Sequence, residues 1–178
     1  MHAPVKPLRP AVLFRDVREE DLPLLFGLRR DLALQSLLLT VPDALDDQSL
    51  RGWIARRQQD PGGLFRAVEE VSTGQAVGYA QISQVHRRNR VGYAGIALVA
   101  DVRGRGLGQA TLAKLIRVSR EELGLNKLLS EVRIDNFAAL KYNLLLGFQI
   151  VGTLKSHFAD SDGVRHDVLF LERLLDDV

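Results

Sequence analysis

The stretch from Ile96 to Ala110, IALVADVRGRGLGQA, constrains the fold more than any other part of the chain. An apolar run with strand character enters a basic glycine turn, and that turn opens a segment with helical spacing. Gly104, Gly106 and Gly108 stand at alternate positions, so successive N–H groups can converge on one point with no Cβ in the way. A helix starting there adds the positive end of its dipole. Arg103 and Arg105 contribute guanidinium forks, which match phosphate oxygens two at a time. A strand, an anion nest and a helix in that order predict a unit whose natural guest is a pyrophosphate.

Two other phosphate loops fail on spacing. A nucleotide-binding loop of the Walker type needs Lys-Ser or Lys-Thr after its last glycine, where this chain has Gln109-Ala110. A dinucleotide fingerprint needs G-x-G-x-x-G, whereas these glycines are evenly spaced, and no strand ending in an acid follows at the right interval. Composition narrows the class further. The 24 Lys plus Arg nearly cancel the 22 Asp plus Glu, so a nucleic-acid partner is not implied. The absence of cysteine removes disulfides, thiolate metal sites and a cysteine nucleophile together, and four scattered histidines offer no metal-ligand spacing.

At 178 residues the chain fits one domain, residues 1–178, with residues 1–10 as a loose proline-bearing arm that lacks the regions of a secretory signal. The longest leucine-rich run, residues 32–41, is interrupted by Gln35 and Ser36 and is too short to cross a bilayer, so no membrane partner and a cytoplasmic location are expected. Periodicity predicts strands at residues 11–17, 64–71, 76–85, 91–99, 127–134, 149–158 and 164–171. Helices are predicted at residues 19–34, 47–59, 108–123 and 136–146. Hairpins come first and a strand–helix–strand crossover later, which argues a mixed sheet with helices on both faces.

The spacing R-x-x-G-x-G at Arg103, Gly106 and Gly108 resembles the acyl-CoA pyrophosphate loop of the GNAT superfamily of N-acetyltransferases. A second element resembles that family's next strand and helix: Asn136, Ala139, Tyr142 and then Gly147-Phe148 follow in order and spacing. The resemblance implies an α/β (α+β) fold with a mixed, largely antiparallel twisted sheet flanked by helices, and a splayed strand pair holding acyl-CoA. It implies acetyl-CoA as cosubstrate, held by Leu98, Val99, Ala100, Arg103, Gly104, Arg105, Gly106, Leu107, Gly108, Gln109, Asn136, Ala139 and Tyr142. In that picture a backbone N–H near Leu98 faces the acetyl oxygen and stabilises charge as it develops.

Tyr142 inherits the role of general acid toward the departing CoA thiolate. A phenol with its usual pKa of about 10 keeps its proton at neutral pH. Asn136 doubles as a helix N-cap. The base is harder to place. Many relatives carry a glutamate on the strand before the loop, but residues 91–99 contain none, and Arg90 and Tyr93 stand where it would be sought. Glu131 and His86 are the substitutes, with His157 and His166 weaker and a water chain as a further route. Against Glu131 stands pairing with Arg133, and against His86 a plain loop position.

The segment from Phe158 to Leu169, with Arg15 and Asp16, resembles the branch containing protein N-terminal, polyamine and amino-sugar acetyltransferases. The expected activity is direct transfer of acetyl to a primary amine of a small molecule of the polyamine, amino-sugar or amino-acid class. The alternatives are a peptide N-terminus as acceptor, or a non-catalytic CoA-binding regulatory module. The acids between Asp43 and Asp47 suit a solvated helix start better than a cation site. Relatives are often dimers, and a sheet edge offers a homodimer contact.

Overall fold

The computed structural model describes residues 10–175, so most of the expected arm lies outside the described residues. Seven strands form one sheet in the order β1-β2-β3-β4-β5-β7-β6. They are β1 (Val12–Arg15), β2 (Leu64–Glu70), β3 (Gln75–His86), β4 (Val91–Leu98), β5 (Lys127–Arg133), β6 (Gln149–Ala159) and β7 (Arg165–Leu174). Every neighbouring pair is antiparallel except β4 and β5. The mixed sheet flanked by helices is the architecture expected from the order of elements.

The β4–β5 pair is the departure from a regular sheet. Its parallel register runs only from Val91↔Lys127 through Tyr93↔Leu129. Beyond that, β4 stays on β3 as far as Gly78↔Leu98, while β5 stays on β7 as far as Arg133↔Val168. The two central strands therefore part, leaving a wedge-shaped opening in the middle of the sheet.

Five helices cover the faces: α1 (Leu22–Arg30), α2 (Leu32–Leu37), α3 (Asp47–Gln58), α4 (Leu107–Glu121) and α5 (Phe137–Leu145). On one face Leu112, Leu115 and Val118 of α4 pack with Ala80, Ile82, Leu128 and Val132 of the sheet. On the other, Leu25 and Phe26 of α1 and Leu50, Trp53 and Ile54 of α3 close over Phe65, Tyr79 and Ala97. Burying apolar side chains on both faces is the main stabilising term, and it fixes which face each strand residue occupies.

One expected helix is corrected. Residues 19–34 do not form a single helix: a 3-10 turn at Glu19–Asp21 leads into α1, and the chain breaks at Asp31, whose ψ of 89° is not helical. Asp31 restarts the chain as α2 by accepting the Leu34 N–H at 2.9 Å, the usual work of an aspartate N-cap. Among the described residues no helix is long and apolar enough to cross a membrane.

Candidate active site

The glycine turn is built as an open nest. Gly104 and Gly106 have φ of 75° and 79°, where a Cβ is strained, and Gly106 caps α4. Among the described residues, the N–H groups of Gly104, Gly106, Leu107, Gly108 and Gln109 find no backbone acceptor. Five donors are thus left at the positive end of a long helix. Gly108 has a different reason to be glycine: a Cβ there would lie 3.2 Å from the Tyr142 ring, which packs directly on the turn. The two arginines differ. Arg105 is paired with the buried Glu70 at the end of β2, whereas Arg103 is exposed and has no acid partner among the described residues.

Strand alternation orients the parted backbone. The Arg90 carbonyl accepts from Asn126 at 2.8 Å on the β5 side, and the Val99 N–H donates to Val77 at 2.9 Å on the β3 side. Counting in twos, the N–H and C=O of Ala94, Ile96 and Leu98 face the opening that β5 has left. Leu98 is therefore at the opening as expected, and Ile96 joins it. Val99 is bonded to β3, and the Ala100 carbonyl is taken by Arg103 N–H at 3.0 Å.

A cavity of about 240 Å³ passes through this opening. On the α4/α5 side it is lined by Ile96, Leu112, Asn136, Ala139, Tyr142 and Asn143, and on the α1/α3 side by Tyr79, Gln81, Ser83, Tyr93 and Glu131. Glu131 shares a face with Tyr93, because the β4–β5 register pairs Tyr93 with Leu129. Tyr93 in turn touches Phe170 with ring centroids 6.4 Å apart. Burial and the nearby Glu131 carboxylate both push the Tyr93 hydroxyl up. Expected pairing of Glu131 with Arg133 does not occur: Arg133 holds Asp135 at 2.6 Å and donates to Ser36. Glu131 has no ion-pair partner among the described residues.

Tyr142 is pushed up to about 12 by desolvation. Asn136 caps α5, accepting the Ala139 N–H at 3.3 Å, and its amide reaches the Leu37 carbonyl at 3.4 Å. Through that bond and the Arg133–Ser36 bond, the end of α2 is fastened to the β5–α5 junction, and residues 37–40 form part of the cavity wall.

Sequence reasoning missed several residues here. Asn143 donates to Ala139 O at 2.8 Å, but among the described residues its Oδ1 is buried and unpartnered, and so is Oε1 of Gln81. Buried acceptors without donors are costly and point to a guest that supplies N–H groups. Arg29 and Arg57 also line the cavity. Arg29 lies over the Trp53 ring at 5.1 Å and donates to Gln35 and Thr40. Burial holds its pKa below the usual value, with Arg57 and Arg56 adding repulsion.

The other residues named from sequence lie elsewhere. His86 closes the β3–β4 turn by accepting the Asn89 N–H at 3.1 Å, and His166 pairs with Asp160 at 2.8 Å in the last hairpin. Arg15 is structural, holding Asp21 at 2.7 Å and Glu69 at 2.6 Å. Asp46 caps α3 and Asp47 pairs with Arg30 at 2.6 Å.

An anion nest opening onto a parted sheet, with a cavity running through the parting, defines a CoA-dependent acyltransferase. The family model described as an acetyltransferase (GNAT) domain matches residues 11–149, reaching well into the first half of the chain, and the protein belongs to this family. It is an N-acetyltransferase with acetyl-CoA as cosubstrate. No curated protein matches the sequence significantly. Among solved structures, spermidine N-acetyltransferase from Vibrio cholerae in complex with CoA and spermine superimposes with a TM-score of 0.84 at 19% identity, over 92% of this chain and 95% of that one. The spermidine/spermine N-acetyltransferase of Vibrio cholerae in complex with manganese ions gives 0.76 at 17% identity, over 93% of each chain. At these identities the likeness is one of fold.

Proposed function

We propose that the protein acetylates the primary amine of a small molecule by direct attack, with Glu131 as base and Tyr142 as acid. The observation that carries this reading is their placement at opposite ends of one through-going cavity, Glu131 on the α1/α3 face and Tyr142 on the α4/α5 face. Acetyl-CoA, when bound, supplies the thioester and a thiolate leaving group. The donors of Gly104, Gly106, Leu107, Gly108 and Gln109, with Arg103, suit its pyrophosphate, and Arg105 screens Glu70 from that charge. The open backbone of Ile96 and Leu98 and the unpaired Asn143 Oδ1 suit the amide groups of its arm.

On the other face, the Glu131 carboxylate attracts an ammonium and takes its proton, directly or through water, leaving the nitrogen nucleophilic. A backbone N–H of β4 at the opening stabilises the acetyl oxygen as it gains charge. The Tyr142 hydroxyl, kept protonated by its apolar setting, gives its proton to the departing sulfur. A small acceptor fits better than a peptide terminus, because residues 37–40 wall in the acceptor side and are fastened there by Asn136 and Arg133.

The test is acetyl-CoA-dependent thiol release against amino acids, amino sugars, polyamines and N-terminal peptides, with CoA binding measured alongside. Tyr142→Phe and Glu131→Gln should each lower kcat by about 100-fold or more, within the usual range for general acid–base groups, at little change in CoA affinity. Release unaltered by either change removes that residue's role. CoA binding without release for every amine favours the regulatory module.

A further inference from the structure

The acceptor end of the cavity carries the wrong charge for a polycation. Its only lining carboxylate among the described residues is Glu131, whereas Arg29 on α1 and Arg57 on α3 both face it. Neither guanidinium has an ion-pair partner within 4.0 Å among the described residues; Asp43 is near enough to be felt by Arg29 but forms no ion pair with it. Of the other acids in that segment, Asp46 is engaged at the start of α3 and Asp47 with Arg30.

Arg29 is also held in place. Arg29 is stacked on Trp53, and Trp53 packs edge-on against Phe65 and Tyr79, each at 5.6 Å. Its hydrogen bonds to the neutral Gln35 and Thr40 fix its orientation without neutralising it. Gln35 is itself buried, with Nε2 on the Leu28 carbonyl at 2.8 Å, so the support is rigid. Both guanidinium groups are felt at the Tyr79 hydroxyl on the cavity floor. Two like charges brought together in a half-buried slot repel, and an anion between them relieves that repulsion while meeting guanidinium forks. At the reacting end the unpaired Gln81 Oε1 and the Glu131 carboxylate ask for an N–H donor. The cavity is therefore polarised, with an acceptor for ammonium at one end and a receptor for anion at the other.

We propose that Arg29 and Arg57 form an anion-binding subsite, and that the acceptor is a small amine carrying its own carboxylate or phosphate at the end away from the reacting nitrogen. This rests on the acetyl-transfer reading above for the position of the reacting nitrogen. It separates this chain from the substrates named for its structural neighbours, since spermidine has no negative group to offer and would bring further positive charge to Arg29 and Arg57.

The experiment compares matched amines: an amino acid against its carboxamide, an aminoalkyl phosphate against the parent amino alcohol, and spermidine. The acid member of at least one pair should be favoured in kcat/KM by about 10-fold or more, as expected when one charge-assisted fork is gained, and the two pairs tell carboxylate from phosphate. Arg57→Gln, at a side chain with no hydrogen bond among the described residues, should bring the acid-to-neutral ratio to within about two-fold while CoA affinity is unchanged. Arg57→Glu should invert the preference. Equal rates within both pairs, a preference for spermidine, or an Arg57→Gln enzyme that keeps the full ratio would overturn the proposal while leaving acetyl transfer intact. If no amine is acetylated, calorimetric titration of the same pairs into the CoA-bound protein decides the subsite alone: acid-selective binding lost in Arg57→Gln supports it, and equal binding removes it.

Discussion

At the scale of single residues, the alternate glycines of the turn are not equivalent. Gly104 and Gly106 are glycine because of φ, and Gly108 because of a neighbour. Gly106→Ala should lower stability by about 1–2 kcal/mol, the cost of a Cβ in the left-handed region, with Pro10 3.1 Å away adding to it. Gly108→Ala should keep or slightly raise stability, because alanine favours the helix by about 1 kcal/mol over glycine. The new methyl would nonetheless displace the Tyr142 ring by a few tenths of an ångström, so kcat should fall about ten-fold or more with the fold intact. Urea unfolding and steady-state rates on both variants check this. Equal loss of stability in the two would mean that the Tyr142 ring does not yield and the methyl at residue 108 strains the fold instead. The motif was legible as a spacing, but the reason for its third glycine was not, since it depends on a ring that lies far along the chain.

At the scale of elements, the sequence is clearest where local chemistry sets the boundary. Asn136 at the start of α5 and the glycines around α4 are read correctly because caps and turns depend on a few adjacent residues. The break at Asp31 was available on the same grounds, as an aspartate preceding Leu34 by the capping interval, but continuous apolar spacing across residues 19–34 masked it. Arg29 and Arg57 show the opposite limit. Each stands in the last turn of an amphipathic helix, where a solvated arginine near the C-terminus is the ordinary expectation, and only the packing of α1 on α3 brings them to one cavity. Asn136 tests how far an element boundary serves function. Asn136→Ala should cost about 1 kcal/mol from the lost cap and also free the end of α2 from α5. Asn136→Ser should restore most of the stability but not the bond to Leu37. If the α2 tether matters, thermal stability should recover in the serine variant while KM for the acceptor stays raised. Recovery of both would limit Asn136 to capping.

At the scale of the whole molecule, the fold partitions its work between two faces of one sheet, and a tyrosine marks each, buried on one face and half-buried on the other. Tyr79 sits in the aromatic cluster under α1 and α3, and Tyr142 projects from α5 against the glycine turn; desolvation pushes both up to about 12. A phenol whose pKa is raised by folding holds its proton in the native state when the unfolded chain, titrating at about 10, has lost it. Between those values the native state binds more protons than the unfolded one, so stability falls as pH rises from about 10 toward about 12, and neither tyrosine alters it at neutral pH. The limiting slope is about 1.4 kcal/mol per pH unit for each tyrosine. Arginine and lysine titration overlaps this range, so the informative quantity is a difference: Tyr79→Phe and Tyr142→Phe should each flatten the alkaline decline in unfolding free energy measured by urea, and the double variant should flatten it further. Lines parallel to the parent would mean that water reaches both hydroxyls. The same shift bears on catalysis, because an acid that keeps its proton to about 12 imposes no alkaline limb on kcat below that pH. A fall in kcat centred near 10 that disappears in Tyr142→Phe would show instead that the hydroxyl is solvated during turnover, and that the closed face around it opens when acetyl-CoA is bound.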